Sequence, residues 1–207
     1  MNYGNLFIII APSGVGKSSL IKALTNLHKD ISVSISYTTR KPRPTEKNGF
    51  DYHFIEIDEF QKMHNDKVFL ESANVHGNFY GTSKDFINHQ ISKGKDIIVE
   101  IDWQGAKQIK LQYPEATSIF ILPPSIEEMR KRLIKRAQDD LITITRRINA
   151  ATTEIKYAKT CEYIIVNNDF DKALSDLIHI INATKLKFQV QASKNVELFT
   201  RLGVTTE

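Results

Sequence analysis

Residues 11 to 18 read Ala-Pro-Ser-Gly-Val-Gly-Lys-Ser, a spacing that suits the capture of a polyphosphate. Gly14 and Gly16 let backbone N–H groups converge on phosphate oxygens where a side chain would obstruct the approach. Lys17 is placed to bridge β- and γ-phosphates, and Ser18 to offer a hydroxyl to Mg²⁺. The candidate triphosphate loop therefore comprises Ala11, Pro12, Ser13, Gly14, Val15, Gly16, Lys17, Ser18 and Ser19. It departs from G-x-x-x-x-G-K-[ST] at its first position, so Ala11 must sit where a β-carbon is tolerated. The plain alternative is a glycine-rich turn with a solvated lysine; the strand before it and the helix after it weigh against that.

A second set of polar residues lies between about positions 34 and 85: Ser36, Arg40, Arg43, Tyr52, Glu71, Tyr80 and Thr82. Arg40 and Arg43, beside Pro42 and Pro44, are spaced to clamp a monophosphate. The tyrosines add hydroxyl donors. A carboxylate such as Glu71 accepts from the N1–H and 2-amino group of guanine together, whereas adenine has no such paired donors on that edge. Asp102 follows the apolar run Ile97 to Ile101 and so falls on the ligand edge of a parallel sheet, to act on Mg²⁺ through water, on a second substrate, or simply as a helix cap. A guanine-reading N-K-x-D of the GTPase kind is absent from the sequence.

These residues need a scaffold. The apolar run Leu6 to Ile10 suits a strand buried on both faces, and Leu20, Ile21, Leu24 and Leu27 recur at helical spacing after the loop. Further buried strands are expected at Ile97–Ile101, Ile119–Leu122 and Tyr163–Val166, separated by helical sequence. Ser125 with Glu128 forms a capping box for a helix to about Arg136, and Asp169 or Asp171 caps another that carries Leu174, Leu177, Ile178 and Ile181. Alternation of this kind predicts an α/β fold with a mainly parallel sheet flanked by helices. The stretch 34 to 85, with turn residues at Pro42, Pro44, Asn48-Gly49 and Gly77-Asn78 and short runs such as Tyr52 to Ile57, reads as a small, mostly β insertion. Residues 127 to 159 read as a charged helical lid broken near Asp139-Asp140.

Composition narrows the field. The chain has 207 residues, 28 basic against 24 acidic for a formal charge of +4, and a single cysteine, Cys161. An intramolecular disulfide and a cysteine-based zinc site are excluded. The mild basic excess forms no tract, so a phosphate-rich ligand is favoured over nucleic acid. The only apolar run near the N-terminus is too short for a signal peptide or a span, which places the protein in the cytoplasm, away from membranes. Monomer and homo-oligomer are left equally open.

Several segments together closely resemble guanylate kinases: Ser-Ile-Ser-Tyr-Thr-Thr-Arg-Lys-Pro-Arg (34–43), Gly-Phe-Asp-Tyr-His-Phe (49–54), Phe-Leu-Glu (69–71), Gly-Asn-Phe-Tyr-Gly-Thr (77–82), Glu-Ile-Asp-Trp-Gln-Gly (100–105), Ile-Leu-Pro-Pro-Ser (121–125), Arg-Leu-Ile-Lys-Arg (132–136) and Ile-Val-Asn-Asn-Asp (165–169). The resemblance runs from about residue 4 to 184. It implies a P-loop NTPase-type core (about 4–33, 86–126 and 160–184), a GMP-binding lobe (34–85), a lid (127–159), and transfer from ATP, with Mg²⁺, to GMP and dGMP in purine nucleotide recycling. It implies that the loop 11–19 and Asn167 meet ATP, Asn167 near adenine, and that Arg132, Arg136 and Arg147 join Lys17 at the reacting phosphates. By the same resemblance the GMP phosphate meets Ser36, Arg40, Arg43, Tyr52 and Tyr80, and guanine meets Glu71, Thr82 and Asp102. Ala137 stands where glycine often follows the lid arginine. The tail from about 185 to 207 lies beyond the resemblance.

Each residue alone has a plainer reading: surface arginines at 40 and 43, strand filler at Tyr52, a helix cap at Thr82 or Ser83, a solvated stripe at Arg132 and Arg136. The rival functions are a non-catalytic, peptide-binding scaffold of guanylate-kinase-like form, and a nucleoside monophosphate kinase of other base specificity.

Overall fold

The computed structural model describes residues 4–75, 77–136 and 140–204; Ala137 and Asp139 lie outside them, as does the side chain of Arg136. Its centre is β1 (Leu6–Ile10), every residue of which is buried. β1 sits in a parallel five-stranded sheet with β2 (Ile31–Ser34), β7 (Asp96–Ile101), β8 (Thr117–Leu122) and β9 (Tyr163–Val166), in the order β2-β7-β1-β8-β9. Period-2 alternation divides β1 between two cores: Phe7 and Ile9 face one, Leu6, Ile8 and Ile10 the other. Both faces are covered, as an all-parallel sheet requires. Four of these strands are the expected ones. β2 went unforeseen because Ile-Ser-Val-Ser is short and half polar; it is an edge strand.

The first core packs α1 (Lys17–Leu27) through Leu20, Ile21 and Leu24, α5 (Ile126–Arg136) through Met129 and Leu133, α6 (Leu141–Glu154) through Ile144, Ile148 and Ala151, and α7 (Phe170–Lys185) through Ala173, Leu177 and Ile181. Leu27, expected on the buried stripe of α1, is exposed at its end. The second core takes Ile87 from α3 (Lys84–Ser92) and Ala106 and Ile109 from α4 (Trp103–Gln112). Helix starts follow capping chemistry. Ser125 Oγ accepts from Glu128 N (3.0 Å), but the Glu128 carboxylate turns to Arg132 Nε (3.3 Å), so only half the capping box forms. Asp140 caps α6, and Asp169 rather than Asp171 caps α7.

The segment expected to be mostly β forms a second sheet, β4-β3-β6-β5, from β3 (Tyr37–Thr38), β4 (His53–Phe54), β5 (Phe69–Val75) and β6 (Asn78–Ser83). It also holds α2 (Ile57–Asn65), so the run Tyr52 to Ile57 is strand only at His53–Phe54. Asp58 and Glu59 suit the first turn of α2, and buried Phe60 stacks on Phe69 and Phe79. The C-terminal tail forms α8 (Phe188–Lys194) and α9 (Val196–Arg201).

Candidate functional site

β1 delivers the chain to the carboxyl edge of the parallel sheet, where the loop turns into α1. Gly14 and Gly16 have φ of 85° and 99°, the left-handed region that disfavours a β-carbon. A β-carbon at Gly14 would stand 2.8 Å from the Leu133 side chain, and one at Gly16 2.7 Å from Asn167 Nδ2. Ala11 carries no such demand: Lys67 is the only non-glycine with positive φ among the described residues, and the Ala11 side chain packs against the first core. The missing first glycine is thereby accounted for.

α1 begins without a side-chain cap and without an acidic residue in its first turn, so its amide donors and dipole favour an anion. Lys17 Nζ donates to the Ile101 carbonyl (3.3 Å) and lies 3.9 Å from Glu100 Oε1, to which Ser18 Oγ donates at 2.6 Å. The loop is braced from behind. The Val15 carbonyl accepts from Asn167 Nδ2 (2.7 Å) and Arg132 Nη1 (3.2 Å), while Arg132 Nη2 donates to the Asn167 carbonyl (3.1 Å). Arg147 Nη1 lies 3.2 Å from Ser13 Oγ, a donor–acceptor pair. Asn167 is 3% exposed and committed to the loop, and it is not among the residues lining the cleft.

Across the cleft, Glu46 organises the two arginines. Its Oε1 accepts from Arg40 Nη2 (2.9 Å) and Arg43 Nη1 (3.2 Å), and its Oε2 from Arg43 N (2.8 Å). Burial pushes the Glu46 carboxyl up, but the Arg40 and Arg43 bonds outweigh it and hold it below the usual range. The Arg40 guanidinium lies 5.4 Å from the Tyr52 ring centroid, and Tyr52 meets Tyr80 edge-on. Burial, then Glu100 and Tyr80, raise the Tyr52 phenol, which therefore stays a neutral donor.

Deeper in the same cleft Thr82 Oγ1 donates to Glu71 Oε1 (2.6 Å), and Ser36 Oγ lies 3.3 Å from Thr82 Oγ1. Glu71 is 3% exposed; burial, with a contribution from Asp102 and against the Thr82 bond, pushes its carboxyl up to about 7. α4 approaches it closely because residue 105 is glycine: a β-carbon there would fall 2.4 Å from Glu71 Oε2. Asp102 serves as the α4 cap, its Oδ1 accepting from Gln104 N and Gly105 N at 3.0 Å, and it also lines the cleft.

The cleft has a volume of about 1120 Å³ and is walled by the loop 11–19, Ser36, Arg40, Arg43, Tyr52, Glu71, Tyr80, Asp102, Arg132 and Arg147. That volume exceeds a usual single-ligand pocket. Thr82 stands behind Glu71, fully buried. Arg136 ends α5, with its side chain outside the description. The sequence reading missed Ser34, Glu46, Glu100, Arg146 and Glu154, all on the cleft wall. Glu100 was open to detection as the lone charge inside the apolar run Ile97 to Ile101, two residues before Asp102. Burial raises the Glu154 carboxyl, opposed by Lys17 and reinforced by Asp102.

A family model described as guanylate kinase matches residues 3–184. The guanylate kinase of Paraburkholderia xenovorans (strain LB400) is 50% identical over 201 residues, 97% of this chain and 89% of that protein. That of Coxiella burnetii (strain RSA 493 / Nine Mile phase I) is 49% identical over 202 residues, 98% of each. These alignments run past residue 184, so similarity extends into the tail, contrary to the sequence reading. The crystal structure of guanylate kinase from Anaplasma phagocytophilum superposes with a TM-score of 0.81 at 30% identity, covering 100% of this chain and 98% of the other.

Proposed function

Since this chain belongs to the guanylate kinase family and is an ATP-dependent GMP kinase, we propose that the two ends of its cleft hold the two nucleotides in line. ATP occupies the loop 11–19, with Lys17, Arg132, Arg136 and Arg147 drawn to its phosphates. Asn167 acts from behind the loop. GMP occupies the other end, its phosphate on Arg40, Arg43, Tyr52 and Tyr80. Its guanine lies against Glu71, with Ser36 and Thr82 orienting that carboxylate and Asp102 alongside. Residues 34–85 are the acceptor lobe and 127–159 the lid.

An oxygen of the GMP phosphate attacks the γ-phosphorus. The new O–P bond forms as the bond to the β-phosphate oxygen breaks, releasing ADP and GDP. That oxygen is already anionic near neutral pH, so no general base is required. The protein supplies alignment and positive charge. Ser18 Oγ and the Glu100 carboxylate, 2.6 Å apart, form a hard-oxygen pair that suits Mg²⁺. Among the described residues no group of three His, Cys, Asp or Glu gathers as a metal cage, which fits an ion held mainly by nucleotide phosphates. When bound, Mg²⁺ would neutralise charge on the β- and γ-phosphates. Among the described residues no helix is long and apolar enough to cross a membrane; we place the enzyme in the cytoplasm, where its substrates are.

The observation that carries this reading is the presence, in one cleft, of a lysine-bearing phosphate loop, of an arginine pair gathered on Glu46, and of buried Glu71 held by Thr82. It also disfavours the scaffold alternative, which has no use for Lys17 or the arginines. The test is a coupled ADP-release assay with GMP, dGMP, AMP, UMP and dTMP as acceptors. GMP and dGMP should exceed the others in kcat/KM by roughly a hundredfold or more, the scale on which a buried pairing site rejects mismatched bases. Comparable turnover of AMP would refute the assignment of Glu71 to guanine.

A further inference from the structure

Ser34 ends β2 at the carboxyl edge of the parallel sheet, in register with Val99 and so adjacent to Glu100 on β7. It is 4% exposed and lines the cleft, yet among the described residues its Oγ has no hydrogen-bond partner. A buried hydroxyl without a partner works against folding and calls for a reason. The other such atom, Gln90 Oε1 on α3, is not on the cleft wall.

The neighbours of Ser34 define what it faces. Two residues on, Ser36 is engaged with Thr82, which in turn donates to Glu71. On the adjacent strand, Glu100 holds the Ser18 hydroxyl. Ser34 thus stands between the base-reading end of the cleft and the end that grips the triphosphate. With both nucleotides bound, the group between those ends is the acceptor phosphate. Arg40, Arg43, Tyr52 and Tyr80 approach it from the second sheet and its neighbouring turns; Ser34 approaches from the parallel sheet.

We propose that Ser34 is a further acceptor-binding residue, its hydroxyl donating a hydrogen bond to the phosphate of the bound nucleoside monophosphate. The inference rests on the two-nucleotide reading of the cleft. It assigns the parallel sheet a direct grip on the attacking phosphate, so that the acceptor is fixed from two separate elements.

Ser34→Ala separates this role from its rivals because binding and stability should move in different directions. Removing an orphan hydroxyl should leave the melting temperature of the free protein unchanged or raised. GMP affinity by calorimetry, and kcat/KM for GMP, should fall by roughly ten- to a hundredfold, the range for a hydrogen bond to a charged oxygen. KM for ATP should stay within about twofold, since no donor-side contact is lost. Ser34→Cys, which keeps the volume with a weak donor, should behave similarly. Unchanged GMP affinity with an equal or higher melting temperature would overturn the proposal, leaving a hydroxyl that meets only water. A lower melting temperature with proportionate losses for both nucleotides would make Ser34 structural, and weaker ATP binding alone would move its contact to the donor. Failure of the wild-type chain to phosphorylate GMP would instead refute the underlying reading.

Discussion

Glu71 offers a sharp test of its proposed guanine contact, because its burial also makes it costly to ionise. Its carboxyl is raised from 4.5 to about 7 in the fold. At about 1.4 kcal/mol per pH unit, keeping it charged in the free protein costs ~3 kcal/mol. Between pH 4.5 and 7 the folded chain holds a proton that the unfolded chain has released. This group therefore lowers stability as pH rises through that window, and the penalty is constant above it. Glu71→Gln removes the ionisation and should stabilise the unliganded protein at pH 8 by up to ~3 kcal/mol, and by little at pH 4.5. Binding should move the opposite way. On the guanine assignment proposed above, the charged carboxylate accepts both guanine donors, whereas an amide presents one donor where an acceptor is required, so GMP affinity should fall by roughly a hundredfold. In the wild type about one molecule in ten has Glu71 ionised at pH 6, so GMP should bind roughly tenfold more weakly than at pH 8. The GMP phosphate itself titrates near pH 6, and the ratio of wild-type to Glu71→Gln affinities cancels that contribution. Urea unfolding and calorimetric GMP titration at pH 5, 6, 7 and 8 provide the data. A ratio that stays flat across pH 6 to 8, or a Gln variant less stable than wild type at pH 8, would refute the reasoning.

Lys17→Ala should lower kcat by roughly a hundredfold or more in the coupled assay. Its melting temperature should barely move, because the contacts of Lys17 are weak: a 3.3 Å bond to Ile101 O and a 3.9 Å ion pair with Glu100. Gly16→Ala meets both a φ of 99° and Asn167 Nδ2 at 2.7 Å; it should destabilise by about 1–3 kcal/mol and raise KM for ATP. Ala11→Gly, by contrast, should leave KM for ATP within about twofold. Glu46→Ala frees two long side chains from a shared carboxylate and should raise KM for GMP roughly tenfold with kcat within about threefold; a lower KM would show that Glu46 merely competes with the phosphate.

The residues that announced themselves in sequence are those whose types have few other uses. Gly-Val-Gly-Lys-Ser after five apolar residues admits little but a strand, a turn and a helix, and the fold has all three where expected. What stayed hidden depends on contacts that residue type and spacing do not announce. Glu46 looks like one more turn residue until Arg40 and Arg43 are folded onto it. Asn167 resembles a cleft residue until its amide is seen on Val15, 152 positions away. α2 was missed because local turn signals outweighed its nine-residue helical pattern. β2 was missed because an edge strand needs only one apolar face. Gly105 has a meaning that no spacing reveals, since its role is to leave room for Glu71.

The order of the parallel sheet bears on how the chain comes to exist. Of the five strands of this sheet β1 comes earliest in the chain, yet it lies at the centre, between β7 and β8. On a ribosome, the phosphate loop must wait for about 80 further residues before β7 (Asp96–Ile101) gives its supporting strand a neighbour, and longer for Arg132, Arg147 and Asn167 to brace it. Contacts of such long range are slow to close. A nascent chain halted before residue 96 therefore holds the whole loop sequence without the means to grip a nucleotide. ATP added during synthesis should protect the chain from proteolysis only late, once the final turns of the sheet have emerged.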